Sequence, residues 1–322
     1  MAYNNKVFTI SPSQLTSPTN KTALITGGSS GIGLQTALLL HSLGNNVVIV
    51  DLQALLASPR YLFHEADVTV WASQRAAFEA AVARFGRIDL VHVNAGIAEY
   101  GDQFFDETLD QDGLLAEPDR RCVDVCLHAA DDTVRLAAHY LRRNNHNNSG
   151  SNDKKKGVVV DGGAVAAPPA AAGSIVITAS LAGYLASAGA PLYSAAKHGV
   201  VGLMRALKRD LATLGIAISV VAPGITVTPI LAASRDARDV EAWVGRMRAS
   251  GVPINTPQEV AACVVWLMGL GMEGNGKGML VQKGLVADLE AGIAATRAQW
   301  MGQEMLDLFR GGRTAPYFPN KL

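Results

Sequence analysis

Cysteine is scarce in this chain: three thiols, Cys122, Cys126 and Cys263, in 322 residues. So few in a chain this long exclude a disulfide framework and fit a reducing compartment. Cys122 and Cys126 share a helix face, but no Cys or His pair elsewhere completes a zinc site, and all three read as small buried side chains. An excess of charge is missing too. The 28 basic and 28 acidic residues cancel, which removes the electrostatic case for nucleic acid or an anionic membrane as partner. No apolar run approaches the roughly 20 residues of a spanning helix. Residues 1–20 lack the basic and long apolar regions of a signal peptide, and the closing Asn320-Lys321-Leu322 lacks the serine of a peroxisomal address. A cytoplasmic protein is expected.

What is present is apolar material, 49% of the residues, in short runs separated by helical stretches. Strands are expected at Thr22–Thr26, Asn46–Asp51, Tyr61–Glu65, Ile88–Val93, Ser174–Thr178, Ala217–Val221 and Met279–Gln282. Helices are expected at Ile32–Leu43, Trp71–Phe85, Pro118–Leu141, Tyr193–Leu214 and Pro257–Met268. Strands alternating with helices of this length predict an α/β fold with a doubly wound, seven-stranded parallel sheet in a single domain. Continuous apolar strands such as Val47–Val50 agree, since a strand covered on both faces need not alternate. Residues 1–20 read as an N-terminal extension, 21–290 as the main domain, and 291–322 as a C-terminal helix and tail. The stretch 144–172, first Asn, Ser and Gly, then Lys154-Lys-Lys156, then Ala, Gly, Pro and Val, reads as a flexible surface insertion. Its lysines form a solvated patch, and His146 alone makes no metal site.

Two constellations carry chemistry. The first is Thr26-Gly27-x-Ser29-Ser30-Gly31-Ile32-Gly33, between a strand and a helix. Glycines there allow a tight turn and a close approach to phosphate, and the helix offers unpaired N–H groups to the anion. Asp51, eighteen residues on, ends the second strand. Its carboxylate suits the two adenosine ribose hydroxyls and repels a 2′-phosphate, and no Lys or Arg lies in the turn, so NAD is expected over NADP. The second is Ser180, then Tyr193 and Lys197 four residues apart on one helix face. A phenol alone is a poor base at neutral pH, titrating at about 10; a nearby ammonium and a cationic nicotinamide favour the phenolate. Tyr193 would take a hydroxyl proton while Ser180 orients the substrate oxygen.

These motifs, in this order, resemble the short-chain dehydrogenase/reductase family in its single-domain Rossmann branch, over about Lys21 to Gly284. The resemblance implies that Lys197 also grips the nicotinamide ribose. It places Asp67-Val68 beside the adenine, Asn94-Ala95-Gly96 along the cofactor cleft, and Pro223-Gly224 with Thr226 and Thr228 at the carboxamide. Taken alone, Asp67 would read as a helix cap and Asn94 as a turn residue. One position departs from the family. The helix at Pro118–Leu141 carries in relatives an asparagine that helps hold a relay water, and Val123-Asp-Val-Cys-Leu127 puts Cys126 there. A thiol is a weak hydrogen-bond partner; specialised chemistry and a tolerated replacement are both open.

Substrate contacts are expected from Ala98–Gly101, Leu181–Leu192, Ile225–Gly251 and the chain after Gly284, carrying Tyr100, Tyr184, Leu185, Leu192, Ile230, Leu231, Trp243 and Met247 with few charges near Ser180. That favours a hydrophobic secondary alcohol or ketone, similar to what NAD-dependent enzymes of the 15-hydroxyprostaglandin dehydrogenase type and of secondary metabolism take. The family usually forms dimers or tetramers through the Tyr193 helix and the one before it, so a homodimer or homotetramer is implied. Two other readings stay open: an isomerase or cyclase using the same pocket, and a non-catalytic NAD-binding sensor.

Overall fold

Along the strand Thr22–Thr26 the side chains alternate between two buried surfaces. Leu24 packs with Val48, Val50 and Phe78 on one face, and Ala23 and Ile25 pack with Val47, Ile49 and Leu40 on the other. A strand apolar on both sides needs cover on both sides, and helices supply it. The first face carries α2 (Trp71–Phe85), α4 (Ala129–Leu141) and α5 (Pro191–Thr213). The second carries α1 (Gly31–Ser42) and α6 (Pro257–Gly269). Each large side chain buried this way, such as Phe78 or Ile25, stabilises the fold by about 1.5–3 kcal/mol.

The computed structural model describes residues 5–15, 19–53, 61–144, 171–233 and 240–313. The expected insertion therefore lies outside the described residues except for Asn144, Ala171 and Ala172, and so does the tail beyond residue 313. The base of the insertion is closed by Asn144, whose buried Nδ2 donates to the carbonyls of Ile88 and Ala172 at 2.7 and 2.8 Å.

One mostly parallel sheet organises the chain, in the order β1-β9-β8-β7-β6-β5-β2-β3-β4. The strands are β1 (Val7–Thr9), β2 (Thr22–Thr26), β3 (Asn46–Asp51), β4 (Tyr61–Glu65), β5 (Leu90–Val93), β6 (Gly173–Thr178), β7 (Ile216–Pro223), β8 (Gly278–Gln282) and β9 (Leu285–Asp288). The seven strands expected from sequence form its parallel part, β8 to β4. Two short antiparallel strands extend it. β9 folds back on β8 through Lys283 and Gly284, both at positive φ as a two-residue hairpin of this type requires, and β1 pairs with β9. The expected helix at Pro118–Leu141 begins instead at α3 (Arg121–Val123), where Asp119 accepts from the Arg121 N–H, and passes through a π-helical turn at Asp124–His128 before α4.

From β2 the chain winds outward to β3 and β4, then returns to β5 on the other side of β2 and winds toward β8. The strand order reverses between β2 and β5. In open α/β sheets the crevice beyond the carboxyl ends at such a reversal is where ligands bind.

Candidate active site

Thr26, Thr178 and Pro223 end β2, β6 and β7 at that crevice and Asn94 follows β5, and hydrogen bonds among them tie the strand ends together. The Asn94 Nδ2 donates to the carbonyls of Thr26 and Gly27, at 3.2 and 3.0 Å. Its Oδ1 accepts from Thr178 Oγ1 at 3.0 Å. With its proton spent there, Thr178 Oγ1 accepts from His92 Nε2, 2.8 Å away. Burial pulls the His92 imidazole down to about 3, so the ring is neutral.

The glycine turn leaves β2 through Gly27, at φ +64°, where a β-carbon would stand 2.8 Å from Ala95 Cα. At Gly33 a β-carbon would fall 2.1 Å from the Gly27 carbonyl oxygen. Only bare backbone lets the first turn of α1 pack this closely against the turn. Ser30, the N-cap of α1, makes no side-chain cap bond, leaving first-turn N–H groups for an anion. Asp51 steadies the same turn: its Oδ2 accepts from Ser29 N at 2.9 Å and its Oδ1 from Leu52 N at 2.8 Å.

A cavity of about 830 Å³ runs over these strand ends. It is lined by Gly27, Ser30, Gly31, Ile32, Asp51, Asp67, Val68, Asn94, Ala95, Gly96, Ser180, Tyr193, Lys197, Pro223, Gly224, Thr226 and Thr228. Of the nominated cofactor residues, Thr26, Ser29 and Gly33 lie behind that lining. Thr26 Oγ1 accepts from the Asn94 N–H, Ser29 Oγ donates to the Gln53 carbonyl, and Gly33 abuts Gly27. Asp67 also caps its own turn, with Oδ1 accepting from the Thr69 N–H.

Ser180 follows β6, and its Oγ accepts from Ala182 N at 3.1 Å, leaving the hydroxyl proton free to be donated. Pro191 starts α5, placing Tyr193 and Lys197 one turn apart. The Lys197 Nζ donates to the Thr178 carbonyl at 2.8 Å and stands 5.5 Å from the centre of the Tyr193 ring. Burial pulls the Lys197 amine down, but Cys126, Tyr193 and Cys122 together hold it above the usual lysine range, so it is a buried cation. Cys126 and Cys122 both point at the Ile97 carbonyl, at 3.4 and 3.8 Å. A β-carbon on Gly96 would lie 3.5 Å from Cys126 Sγ and 3.7 Å from Lys197 Nζ, so thiol and amine flank that glycine. The Cys122 hydrogen bond, aided by the Lys197 ammonium, pulls the Cys126 thiol below its ordinary range against the effect of burial. The Cys122 thiol is pushed up, first by that same bond.

Of the residues nominated for substrate, Leu185, Ile230 and Leu231 line the cavity, while Tyr100, Tyr184, Leu192, Trp243 and Met247 do not. Tyr184 is held elsewhere, donating to Glu290 at 3.0 Å. Sequence reasoning nominated Ala98–Gly101 without singling out Glu99, a residue of the cavity lining whose Oε2 accepts from the Tyr193 N–H at 2.9 Å. A lone acid in a loop gives no sign that the loop folds back on a helix far along the chain.

A family model described as short chain dehydrogenase matches residues 21–167 and 164–239. The short-chain dehydrogenase/reductase prx4 of Penicillium rubens is 31% identical over 308 residues, covering 89% of this chain and 82% of that protein. Cyclohexanol dehydrogenase of an Acinetobacter species is 33% identical over 260 residues, covering 77% and 88%. Among solved structures, levodione reductase superposes with a TM-score of 0.63 at 26% identity, over 83% of this chain and 97% of that one. With the doubly wound sheet, the glycine turn and the Ser–Tyr–Lys cluster, these matches make the chain a member of the short-chain dehydrogenase/reductase family of oxidoreductases.

Proposed function

We propose that this protein interconverts a hydrophobic secondary alcohol and its ketone, using NAD in preference to NADP. The observation that carries the reading is one cavity holding Ser180, Tyr193 and Lys197 at one end and the glycine turn with Asp51 at the other. The residues fit a dinucleotide. The close approach of backbone at Gly27 and Gly33 and the uncapped start of α1 suit a pyrophosphate. Asp51 keeps lone pairs for ribose hydroxyls beyond its two backbone donors. Lys197 is the only cationic side chain in the lining among the described residues, so nothing there welcomes a 2′-phosphate.

A bound nicotinamide supplies the hydride acceptor. The chain does the rest. Ser180 donates to the substrate oxygen and fixes its place. Tyr193, starting as the phenolate, takes the carbinol proton and becomes the neutral phenol, and the buried Lys197 cation beside its ring attracts the starting anion. Ile97, Leu181, Leu185, Ile230 and Leu231 give the substrate end apolar walls, which keep water from the reacting carbon. We read 21–290 as the dehydrogenase unit and the stretch 144–172 as dispensable to chemistry. Three buried free thiols support a cytoplasmic setting. No helix among the described residues is long and apolar enough to cross a membrane. A homodimer or homotetramer is the expected assembly, by analogy with the family.

The test is a panel of secondary alcohols with NAD and with NADP, following the absorbance of the reduced cofactor. Turnover at least about tenfold more efficient with NAD, lost in Tyr193→Phe, is expected. Cofactor binding without turnover of any alcohol or ketone would turn the reading to an isomerase, a cyclase or a sensor.

A further inference from the structure

The loop that follows β7, residues 224–228, walls the cavity through Gly224, Ile225, Thr226 and Thr228. Its place along the sheet decides which half it serves. The glycine turn and Asp51 belong to β2 and β3, whereas Ser180 follows β6, the hydrogen-bonded neighbour of β7. The half of a dinucleotide that must reach Tyr193 therefore has this loop for a wall.

The loop is fastened mainly through Asn255, a fully buried residue two positions before α6. The Asn255 N–H donates to the Ile225 carbonyl at 2.8 Å, and its carbonyl accepts from the Val227 N–H at 3.1 Å. Thr226 is thereby held in a one-residue parallel bridge. The side chain extends the tie to the sheet. Its Nδ2 donates to the Val281 carbonyl at 2.9 Å and to Thr226 Oγ1 at 3.4 Å, and its Oδ1 accepts from the Lys283 N–H at 2.6 Å. The same Val281 carbonyl accepts from the Gly224 N–H at 3.0 Å. A carbonyl on one side and an N–H on the other leave the amide a single orientation. Its donors are all used, as a buried amide requires. None of these bonds caps α6, because Thr256 does that.

We infer that Asn255 is a positioning residue for the reacting half of the cavity, pinning residues 224–228 to β8 and to the β8–β9 turn so that one fixed wall holds the nicotinamide against Tyr193. This rests on reading the cavity as a dinucleotide site. Loosening that wall should weaken the nicotinamide end of the cofactor and spare the adenosine end. A merely stabilising residue would affect both ends alike, or neither.

Calorimetric binding of NADH and of ADP tests it, since ADP carries the adenosine and two phosphates without the nicotinamide. In Asn255→Ala the Kd for NADH is expected to rise at least about tenfold, while that for ADP stays within about twofold of the wild type. For any secondary alcohol that the wild type oxidises, kcat at saturating NAD should fall by at least about tenfold. Asn255→Ser, whose hydroxyl can bind a water in the gap, should show the same split and serves if the first variant does not fold. Equal weakening of NADH and ADP, or weakening of neither, overturns the inference. The split in a protein that turns over no alcohol would uphold Asn255 and sink the oxidoreductase reading. A wild type that binds neither NADH nor ADP would overturn both.

Discussion

Lys197 donates to the backbone carbonyl of Thr178 across 2.8 Å, so the buried cation is anchored to the end of β6 and not to another side chain. Thr178 in turn bonds Asn94, which holds the glycine turn. The amine is thus fixed relative to both the glycine-turn backbone and the Tyr193 ring. Lys197→Met should lower kcat/KM by at least about 100-fold and raise KM for NAD. The melting temperature should hold or rise, because a buried charge no longer has to be desolvated. Steady-state kinetics and thermal melting check both halves; a variant of near wild-type activity would remove Lys197 from the chemistry.

Gly33→Ala places a methyl group 2.1 Å from the Gly27 carbonyl oxygen. The turn must open, at a cost of about 1–3 kcal/mol, and NADH affinity should drop more than about tenfold. Fluorescence titration with NADH reads the loss directly. Unchanged affinity would mean that the turn does not hold the cofactor.

The proposal for Cys126 is that it is a tolerated replacement. Cys126→Asn should keep turnover or raise it, since an amide is a stronger hydrogen-bond partner than a thiol beside Lys197. Activity abolished in a variant that melts like the wild type would instead give the thiol a specific task.

His92 makes stability depend on pH. Its folded value of about 3 lies below the unfolded value of about 6.5, so between these limits the unfolded chain binds a proton that the folded chain refuses. Stability contributed by the neutral ring is complete above about pH 6.5 and is lost as pH falls toward 3. Between pH 7 and 5 the loss amounts to about 2 kcal/mol. His92→Gln, which keeps an N–H for Thr178 Oγ1, should unfold in urea with that much less pH dependence over the range. Parallel curves for the two proteins would refute the assignment.

The parallel sheet was legible because most of its seven strands are short runs rich in Val, Ile, Leu or Ala between turn residues, and the glycine turn because it stands between a strand and a helix. The β8–β9 hairpin escaped notice: Lys283-Gly284 is a weak turn signal, and Leu285–Asp288 is short. Nor does periodicity reveal the π-helical turn at Asp124–His128, where hydrogen bonding changes while the apolar pattern continues. At the site, Ser180, Tyr193 and Lys197 were readable from spacing. Glu99 was not, because its partner lies 94 residues away and a contact across that distance leaves no local pattern. Tyr100, Tyr184 and Trp243 fall outside the cavity lining, as core or lid packing would have them, since size and position on a loop do not fix the direction a ring faces.

Val7–Thr9 seals the outer margin of Leu285–Asp288. Trimming the first dozen residues would lay bare a row of main-chain amides and carbonyls remote from the reacting carbon, ready to zip onto any extended segment nearby. A shortened version should therefore clump in solution before it loses its chemistry.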